Sequence, residues 1–185
     1  MIEHGPSIGR YYEQGIRGEK IAIVGYSHYR KPEHFDHEDF TQSTINHVLT
    51  GKQSGDSFFP AIPQYFGYVD KASLVTFWNS VLFFNFIPEC IGTSAEKHRN
   101  GTLEQIRSGR TRFIRILSER QPSRVFVFTR KGWASMPRNR RGKGWARLRI
   151  FWESVIANFH GERFRWEPIR WLGLGYATQE APIWC

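Results

Sequence analysis

Cysteine is scarce in this chain, and its scarcity excludes two classes of protein. Cys90 and Cys185 are the only two cysteines among 185 residues. Two cysteines cannot form a disulfide framework, and they cannot supply a four-cysteine zinc or iron–sulfur site. We therefore expect the protein to work in a reducing compartment, which for such a chain is the cytoplasm.

Long hydrophobic runs and targeting signals are missing as well. The longest apolar run covers residues 81–84 and resumes after Asn85 for two more residues, whereas a membrane-spanning helix needs about 20. Residues 1–6 do not combine a basic segment with an apolar one, so no secretory signal is predicted. The sequence has no P-loop, no dinucleotide-binding glycine motif and no nucleophile elbow. We therefore expect no membrane partner, and none of these motif-defined enzyme classes is indicated.

Acidic residues are missing from one long stretch. The chain has 26 Lys and Arg residues against 17 Asp and Glu, a formal net charge of +9, and a pI near 9.9. Residues 120–152 contain ten basic residues and no acidic one. A solvated charged surface would explain solubility but not this exclusion of acids, so we favour contacts with nucleic-acid phosphates. The residues that we expect to make such contacts are Arg130, Lys131, Trp133, Arg138, Arg140, Arg141 and Lys143.

The chain contains enough apolar material for one α/β domain. Hydrophobic residues make up 40% and aromatic residues 16% of the sequence, which is ample for a core. Apolar runs bounded by turn residues predict strands, and apolar residues spaced by three and four predict helices. Because strands and helices alternate, the sequence predicts an α/β sandwich around a mainly parallel sheet.

The predicted elements can be placed along the chain. Asp70 or Ser73 is expected to cap a helix that runs to Val81, and the stem of Arg110 is expected to complete the apolar stripe of another helix. The predicted strands cover 20–24 and 124–129, and the other predicted helices cover 37–50, 102–119 and 145–159. The remaining predictions are a loosely attached lead-in over 1–19, a loop over 51–70 and one or two strands over 163–176.

Three segments follow predicted strands and carry residues capable of chemistry. Ligands of parallel sheets bind beyond the carboxyl ends of the strands, which points to residues 25–32, 85–92 and 129–137. In the first segment, Gly25 permits a close backbone approach and His28 can act as an acid or a base, but a folded loop with His28 hydrogen-bonded to backbone explains these residue types better. In the second, Asn85 is costly to bury among aromatic residues without partners, and its amide can pair with the edge of a base. We therefore assign a functional role to Asn85.

One arrangement of metal-ligand residue types has to be weighed. His34 and His37 are three residues apart, with Glu33 and Asp36 beside them and His28 nearby. Their spacing matches no zinc signature. We therefore expect a polar surface loop here and no bound metal.

The three segments, in this order, resemble the uracil-DNA glycosylase superfamily. The run KIAIVGYSHY over 20–29 resembles the first core strand of the family and its Gly-x-Asp-Pro-Tyr or Gly-x-Asn-Pro motif, and LFFNFIP over 82–88 resembles the strand ending in the Asn that reads the uracil edge. Phe40, or else Phe35, matches by spacing the aromatic residue that stacks on the flipped uracil. A helix, a proline, a strand and a tryptophan follow, as in little-characterised bacterial members, so the resemblance covers about residues 18–137.

The resemblance implies a fold, a partner and a site. The fold would be one three-layer α/β/α sandwich over residues 1–185. The protein would be a monomer that binds single- or double-stranded DNA and accommodates a flipped, deaminated or damaged base in DNA repair, without a cofactor or a metal. The catalytic residues that the resemblance implies are Ser27 and His28. The base-binding residues that it implies are Gly25, Tyr26, Tyr29, Phe40 and Asn85.

Two departures from the family leave two functions open. Ser27 stands where the family has a water-positioning Asp or Asn, and His28 stands where it has Pro. The family's terminal His-Pro-Ser-type motif has no counterpart over 172–178, since no histidine follows His160. The chain is therefore either a DNA glycosylase that hydrolyses an N-glycosidic bond or an inactive homologue that binds nucleic acid or a nucleotide.

Overall fold

The computed structural model describes residues 2–30, 35–52, 58–93, 100–129, 135 and 151–154. Its strands are β1 (Ser7–Ile8), β2 (Ile21–Gly25), β3 (His28–Arg30), β4 (Val81–Asn85), β5 (Cys90–Thr93), β6 (Arg124–Val127) and β7 (Phe151–Ser154). Its helices are α1 (Phe40–Leu49), α2 (Phe58–Gln64), α3 (Lys71–Ser80) and α4 (Leu103–Arg120).

A mainly parallel sheet forms the centre of the described structure. Its strand order is β1-β4-β2-β6-β7. Strands β4, β2, β6 and β7 run parallel to their neighbours, whereas β1 pairs antiparallel with β4. A second, two-stranded sheet joins β3 and β5 in parallel. The prediction of an α/β fold with a mainly parallel sheet is confirmed.

Both faces of the sheet are apolar, because helices pack on each of them. Ala22 and Val24 of β2 belong to a buried cluster that includes Phe113 of α4. Ile21 and Ile23, which alternate with them, belong to a second cluster that takes in residues of α1, α2 and α3. A strand covered on both faces is apolar at every position, which is why β2 reads as a continuous hydrophobic run.

Helices α3 and α4 begin where their capping residues predict. The Asp70 carboxylate accepts a hydrogen bond from Ser73 N at 2.8 Å, and Thr102 forms the equivalent capping box with Gln105 at the start of α4. Each of these side chains satisfies backbone groups that the first helical turn leaves unpaired. No helix in the described part of the chain has the length and apolar character needed to cross a membrane.

The buried face of α4 differs from the predicted stripe at Leu103, which is 75% exposed, and at one arginine. Arg110 is exposed, and its Nε donates a hydrogen bond to Ser135 O at 2.6 Å. Arg112 is the buried arginine of this helix, with 2% of its surface exposed. Its guanidinium is tolerated in the core because it donates hydrogen bonds to two backbone carbonyl groups, as described below.

The N-terminal segment is part of the core, so the prediction of a loosely attached lead-in is wrong. His4 and Tyr12 are each 1% exposed. Tyr12 donates a hydrogen bond from its hydroxyl to Arg120 O at 3.1 Å, and β1 pairs with the outer edge of β4. The edge of a sheet offers unpaired backbone groups, and β1 satisfies some of them.

Two further predictions about secondary structure need correction. Residues 58–64, which were expected to lie in a loop, form α2. The helix buries the side chains of Phe59 and Ile62 against the sheet. Pro60 lies in the first turn, where its missing N–H costs little. Residues 151–154, which were expected to be helical, form β7 and fill the open edge of β6. The predicted strands over 163–176 lie outside the described residues.

Candidate functional site

The first two of the predicted segments meet at one edge of the sheet. Gly25, the last residue of β2, is in register with Asn85, the last residue of β4. Beyond this pair, Phe86 N donates to Gly25 O at 3.0 Å and Ile87 N donates to Tyr26 O at 2.8 Å. Strand β6 runs parallel to β2 on its other side, so its carboxyl end faces the same edge.

Asn85 and Gly25 are in direct contact at this edge. A β-carbon built on residue 25 would lie 2.1 Å from Asn85 Oδ1 and 3.6 Å from Phe58 Cζ. Asn85 is 5% exposed. Its side-chain amide has no hydrogen-bond partner among the residues that the structure describes. The amide thus keeps its donor and acceptor groups for a ligand, beside the ring of Phe58.

Arg112 fixes the backbone that carries Asn85. Its Nη1 donates to Asn85 O at 2.6 Å, its Nη2 donates to His4 O, and its Nε lies 3.3 Å from Glu3 Oε1. Burial lowers the pKa of Arg112 to about 10, although the Glu3 carboxylate opposes this shift. The guanidinium also lies 5.5 Å from the ring centroid of Phe84. One buried cation therefore ties the N-terminal segment to the end of β4.

Tyr26, Ser27 and Tyr29 line the loop after β2 and already have partners. Tyr26 accepts a hydrogen bond at its hydroxyl oxygen from Gly101 N at 2.9 Å. Ser27 donates from its hydroxyl to His28 O at 3.1 Å. The rings of Tyr26 and Tyr29 pack against the cluster on the α4 face, and burial raises the pKa of Tyr29. These contacts hold the turn that follows Gly25. The predicted loop is wrong for His28–Arg30, which form β3 and pair with β5.

His28 is a buried, neutral residue in the structure. Its Nε2 lies 3.0 Å from Thr41 Oγ1, within hydrogen-bonding distance. Burial lowers its pKa to about 3, with a further contribution from the neighbouring His4. The prediction that His28 is hydrogen-bonded holds, but its partner is the side-chain hydroxyl of Thr41 and not the backbone group that was expected. A neutral imidazole held in this way is not a general acid at physiological pH.

Phe58 also lies beside the Gly25–Asn85 pair, and the sequence did not single it out. Phe40 contacts a group of histidines: its ring stacks on His4 with centroids 5.3 Å apart and lies 5.0 Å from His28. Phe35 is 89% exposed. Because residues 51–70 were expected to form a loop, the ring of Phe58 had no predicted position. A local signal of the helix that places it is the spacing of Phe58 and Phe59 from Ile62, four and three residues apart.

His4, Asp36 and Cys90 form a polar cluster beside these rings. His4 Nε2 lies 2.5 Å from Asp36 Oδ1, and Asp36 Oδ2 accepts a hydrogen bond from Cys90 N at 3.2 Å. Burial lowers the pKa of His4, against the opposing effect of Asp36. Burial by itself would raise the pKa of Asp36. The hydrogen bonds from His4 and Cys90 outweigh burial, so the pKa of Asp36 lies below its usual value.

The metal-ligand types weighed in the sequence are not assembled among the described residues. His37 pairs with Asp39, with Nδ1 and Oδ1 2.5 Å apart. Asp36 contacts His4, which the sequence pattern did not include. Glu33 and His34 lie outside the described residues, as do the predicted phosphate-contacting residues Arg130, Lys131, Trp133, Arg138, Arg140, Arg141 and Lys143.

Comparison with known proteins adds no relative. No protein-family model matches this chain, and no similar protein was found among the curated proteins or the solved structures. The functional assignment therefore rests on the site itself.

Proposed function

We propose that this protein binds DNA and accommodates a single unstacked base at the Gly25–Asn85 edge of the sheet. The observation that carries the proposal is Asn85, a residue 5% exposed, whose side-chain amide lies over Gly25 and makes no hydrogen bond with the described residues. The amide is not one of the fully buried side-chain groups that lack a partner, so a ligand can reach it. An unpaired amide on a residue this little exposed calls for an explanation. A base that pairs with this amide through its own donor and acceptor atoms supplies one.

The ring of Phe58 supports a base as the ligand. Its Cζ lies 3.6 Å from the position of a β-carbon on residue 25, next to the Asn85 amide. A base needs both edge hydrogen bonds and a ring face, and stacking on an aromatic side chain contributes about 1–3 kcal/mol. Phe58 contacts Phe59 edge-to-face, with centroids 5.1 Å apart, which fixes its orientation. We therefore propose that the Asn85 amide pairs with the edge of the base and that Phe58 contacts its ring.

Charge and fold are consistent with nucleic acid as the partner. The net charge is +9, and residues 120–152 are free of acids. That stretch begins at the end of α4 and includes β6, whose carboxyl end faces the candidate site. We also propose that the complete fold is the three-layer sandwich of the uracil-DNA glycosylase superfamily, which is supported by the packing of α4 on one face of the sheet and of α1–α3 on the other.

Hydrolysis of the N-glycosidic bond is the second candidate function. It is favoured by the position of Ser27, two residues after Gly25, at the place where the family positions its water. A serine hydroxyl is not a carboxylate base, and here it donates to His28 O. The neutral His28 carries no negative charge, so it cannot offset the positive charge that develops on the sugar in the transition state. Base binding is therefore the main proposal and hydrolysis the alternative.

The experiment measures binding and cleavage on the same oligonucleotides. Each carries one uracil, hypoxanthine, xanthine or alkylated base, in single-stranded or duplex form. We expect the protein to prefer one modified base, and Asn85→Ala to reduce that preference by about 1–3 kcal/mol, or 5- to 150-fold. Binding to unmodified DNA should stay the same. Asn79→Ala is the matched control, because the Asn79 amide already donates to Val75 O within α3, at 2.9 Å.

A second pair of variants separates the two phenylalanines. Phe58→Leu should weaken binding of the preferred base, whereas Phe40→Leu should not, since Phe40 packs on His4 and His28. Equal preference for every base in the unmutated protein would contradict the base-binding proposal. Release of free base by the unmutated protein, lost in Ser27→Ala, would establish the glycosylase alternative.

A further inference from the structure

We propose that His4, Asp36 and Cys90 bind a single zinc ion. One ligand atom from each residue, a ring nitrogen, a carboxylate oxygen and the thiol sulfur, lies within 4.8 Å of the other two. Nitrogen, oxygen and sulfur donors together are typical of zinc, whereas magnesium and calcium prefer oxygen alone. The site is independent of the base-binding proposal, because none of its three residues belongs to the Gly25–Asn85 edge.

Backbone hydrogen bonds hold the three residues in place before any ion binds. His4 N donates to Pro88 O at 2.6 Å, two residues before Cys90. Cys90 begins β5, where it is in register with His28 of β3, and its N–H bonds to the Asp36 carboxylate. The ligands thus come from three separate parts of the chain that already meet. A preformed site binds a metal without the cost of ordering its ligands.

A simple ion pair explains only part of this cluster. It accounts for the contact between His4 and Asp36, but it places the carboxylate beside the Cys90 thiol, and burial together with that carboxylate raises the pKa of the thiol. When a divalent cation lies between the three groups, the Asp36 carboxylate and the Cys90 sulfur both bind it. The positive charge of the cation then stabilises the thiolate form of Cys90.

The geometry needs only a small adjustment to hold the ion. In a tetrahedral zinc site, bonds of about 2.0–2.3 Å put neighbouring ligand atoms about 3.3–3.6 Å apart. Here His4 Nε2 and Asp36 Oδ1 are 2.5 Å apart, and the whole group fits within 4.8 Å. Shifts of about 1 Å therefore suffice. Three protein ligands leave the fourth position for water, and binding releases the proton of the Cys90 thiol.

The test uses the full chain with Cys185→Ser, so that Cys90 is its one thiol. Under reducing conditions this parent protein is titrated with Co²⁺, because a thiolate–cobalt bond produces a charge-transfer band and tetrahedral coordination produces visible d–d bands. We expect both bands to saturate at one equivalent and to disappear when Zn²⁺ is added. Cys90→Ser should abolish the charge-transfer band, and His4→Gln and Asp36→Asn should lower the affinity about 100-fold.

His37→Gln is the matched control for the histidine ligand. His37 lies one residue after Asp36 but is 46% exposed and pairs with Asp39. Its variant should titrate like the parent. Absence of the thiolate band at saturating Co²⁺ would overturn the proposal, and so would a loss of affinity in His37→Gln as large as that in His4→Gln. If circular dichroism shows that a ligand variant is unfolded, the parent titration still decides, since the band can come only from Cys90.

Discussion

The Oδ1 atom of Asn85 fills the space that a β-carbon on residue 25 would need. The distance between the two would be 2.1 Å, which no pair of nonbonded atoms tolerates. The contact joins the last residues of two neighbouring parallel strands. Gly25 is therefore required by the position of the Asn85 amide, and the two residues form one unit of the candidate site.

The first prediction tests this unit with a double-mutant cycle. Gly25→Ala should destabilise the protein by about 1–3 kcal/mol, because the added methyl group forces Asn85 to move. It should also remove the preference for a modified base. Asn85→Ala deletes the clashing oxygen, so the double variant Gly25→Ala/Asn85→Ala should recover most of the lost stability. Urea unfolding of the four proteins measures the coupling.

The control for this cycle is Gly5→Ala. A β-carbon there would lie 2.8 Å from Nε2 of Gln42, but that atom is the end of a flexible side chain and can move aside. We expect a smaller loss of stability than in Gly25→Ala. If Gly25→Ala costs the same with and without Asn85, the steric explanation is wrong.

The central strands could be predicted because each is an unbroken apolar run. The predicted ranges 20–24 and 124–129 agree with β2 (Ile21–Gly25) and β6 (Arg124–Val127) to within two residues at each end, since a strand covered on both faces needs apolar residues at every position. Asn85 could be singled out for the same reason, as a polar residue inside such a run. Its contact with Gly25 could not, because it depends on the register between β2 and β4.

Other parts of the site depend on contacts that no local pattern encodes. Arg112 reaches carbonyl groups 27 and 108 residues away in sequence, and its place on α4 gives no sign of them. Phe58 lies in a short helix with a proline inside it, and that composition is more typical of a loop. The N-terminal segment has the composition of a lead-in, but it covers the edge of β4 and buries Tyr12.

The second prediction concerns the buried charge of Arg112. Arg112→Met leaves two backbone carbonyl groups without their donor, so we expect a loss of about 2–4 kcal/mol in unfolding free energy. Arg115 lies on the same helix, pairs with the same Glu3 carboxylate and is 51% exposed. Arg115→Met should therefore cost less than about 1 kcal/mol. Equal losses of unfolding free energy in the two variants would show that the hydrogen bonds of Arg112 to the carbonyl groups stabilise the protein no more than a surface ion pair does.

The third prediction concerns the alkaline limit of stability. Burial raises the pKa of Tyr12 well above its usual value of 10.0, so the native protein keeps this proton while the unfolded chain loses it. The unfolding free energy should therefore fall as the pH rises above 10, by about 1.4 kcal/mol per pH unit for this group. Tyr12→Phe removes the titrating hydroxyl and should flatten the decline, although it also loses the hydrogen bond to Arg120 O.

Urea unfolding between pH 8 and pH 11.5 measures this effect. Tyr11→Phe is the control, because Tyr11 is the neighbouring ring and is 47% exposed. At neutral pH, Tyr12→Phe should be about 1 kcal/mol less stable than the parent protein. The same alkaline slope in Tyr12→Phe as in the parent would contradict the assignment.

The last prediction tests the acid-free stretch through the salt dependence of DNA binding. Each cation that contacts a phosphate releases counterions, so the logarithm of the affinity should fall by about 0.7–0.9 for each contact per tenfold rise in salt. Arg140→Ala/Arg141→Ala should flatten this slope by about two such increments and weaken binding to all sequences alike, because phosphate contacts position the DNA and do not specify the base. The control Arg107→Ala/Arg115→Ala removes the same charge from exposed positions on α4, outside the acid-free stretch. If both double variants keep the salt dependence of the parent protein, the basic stretch is only a solvated surface. If both variants flatten the salt dependence equally, net charge rather than this stretch governs binding.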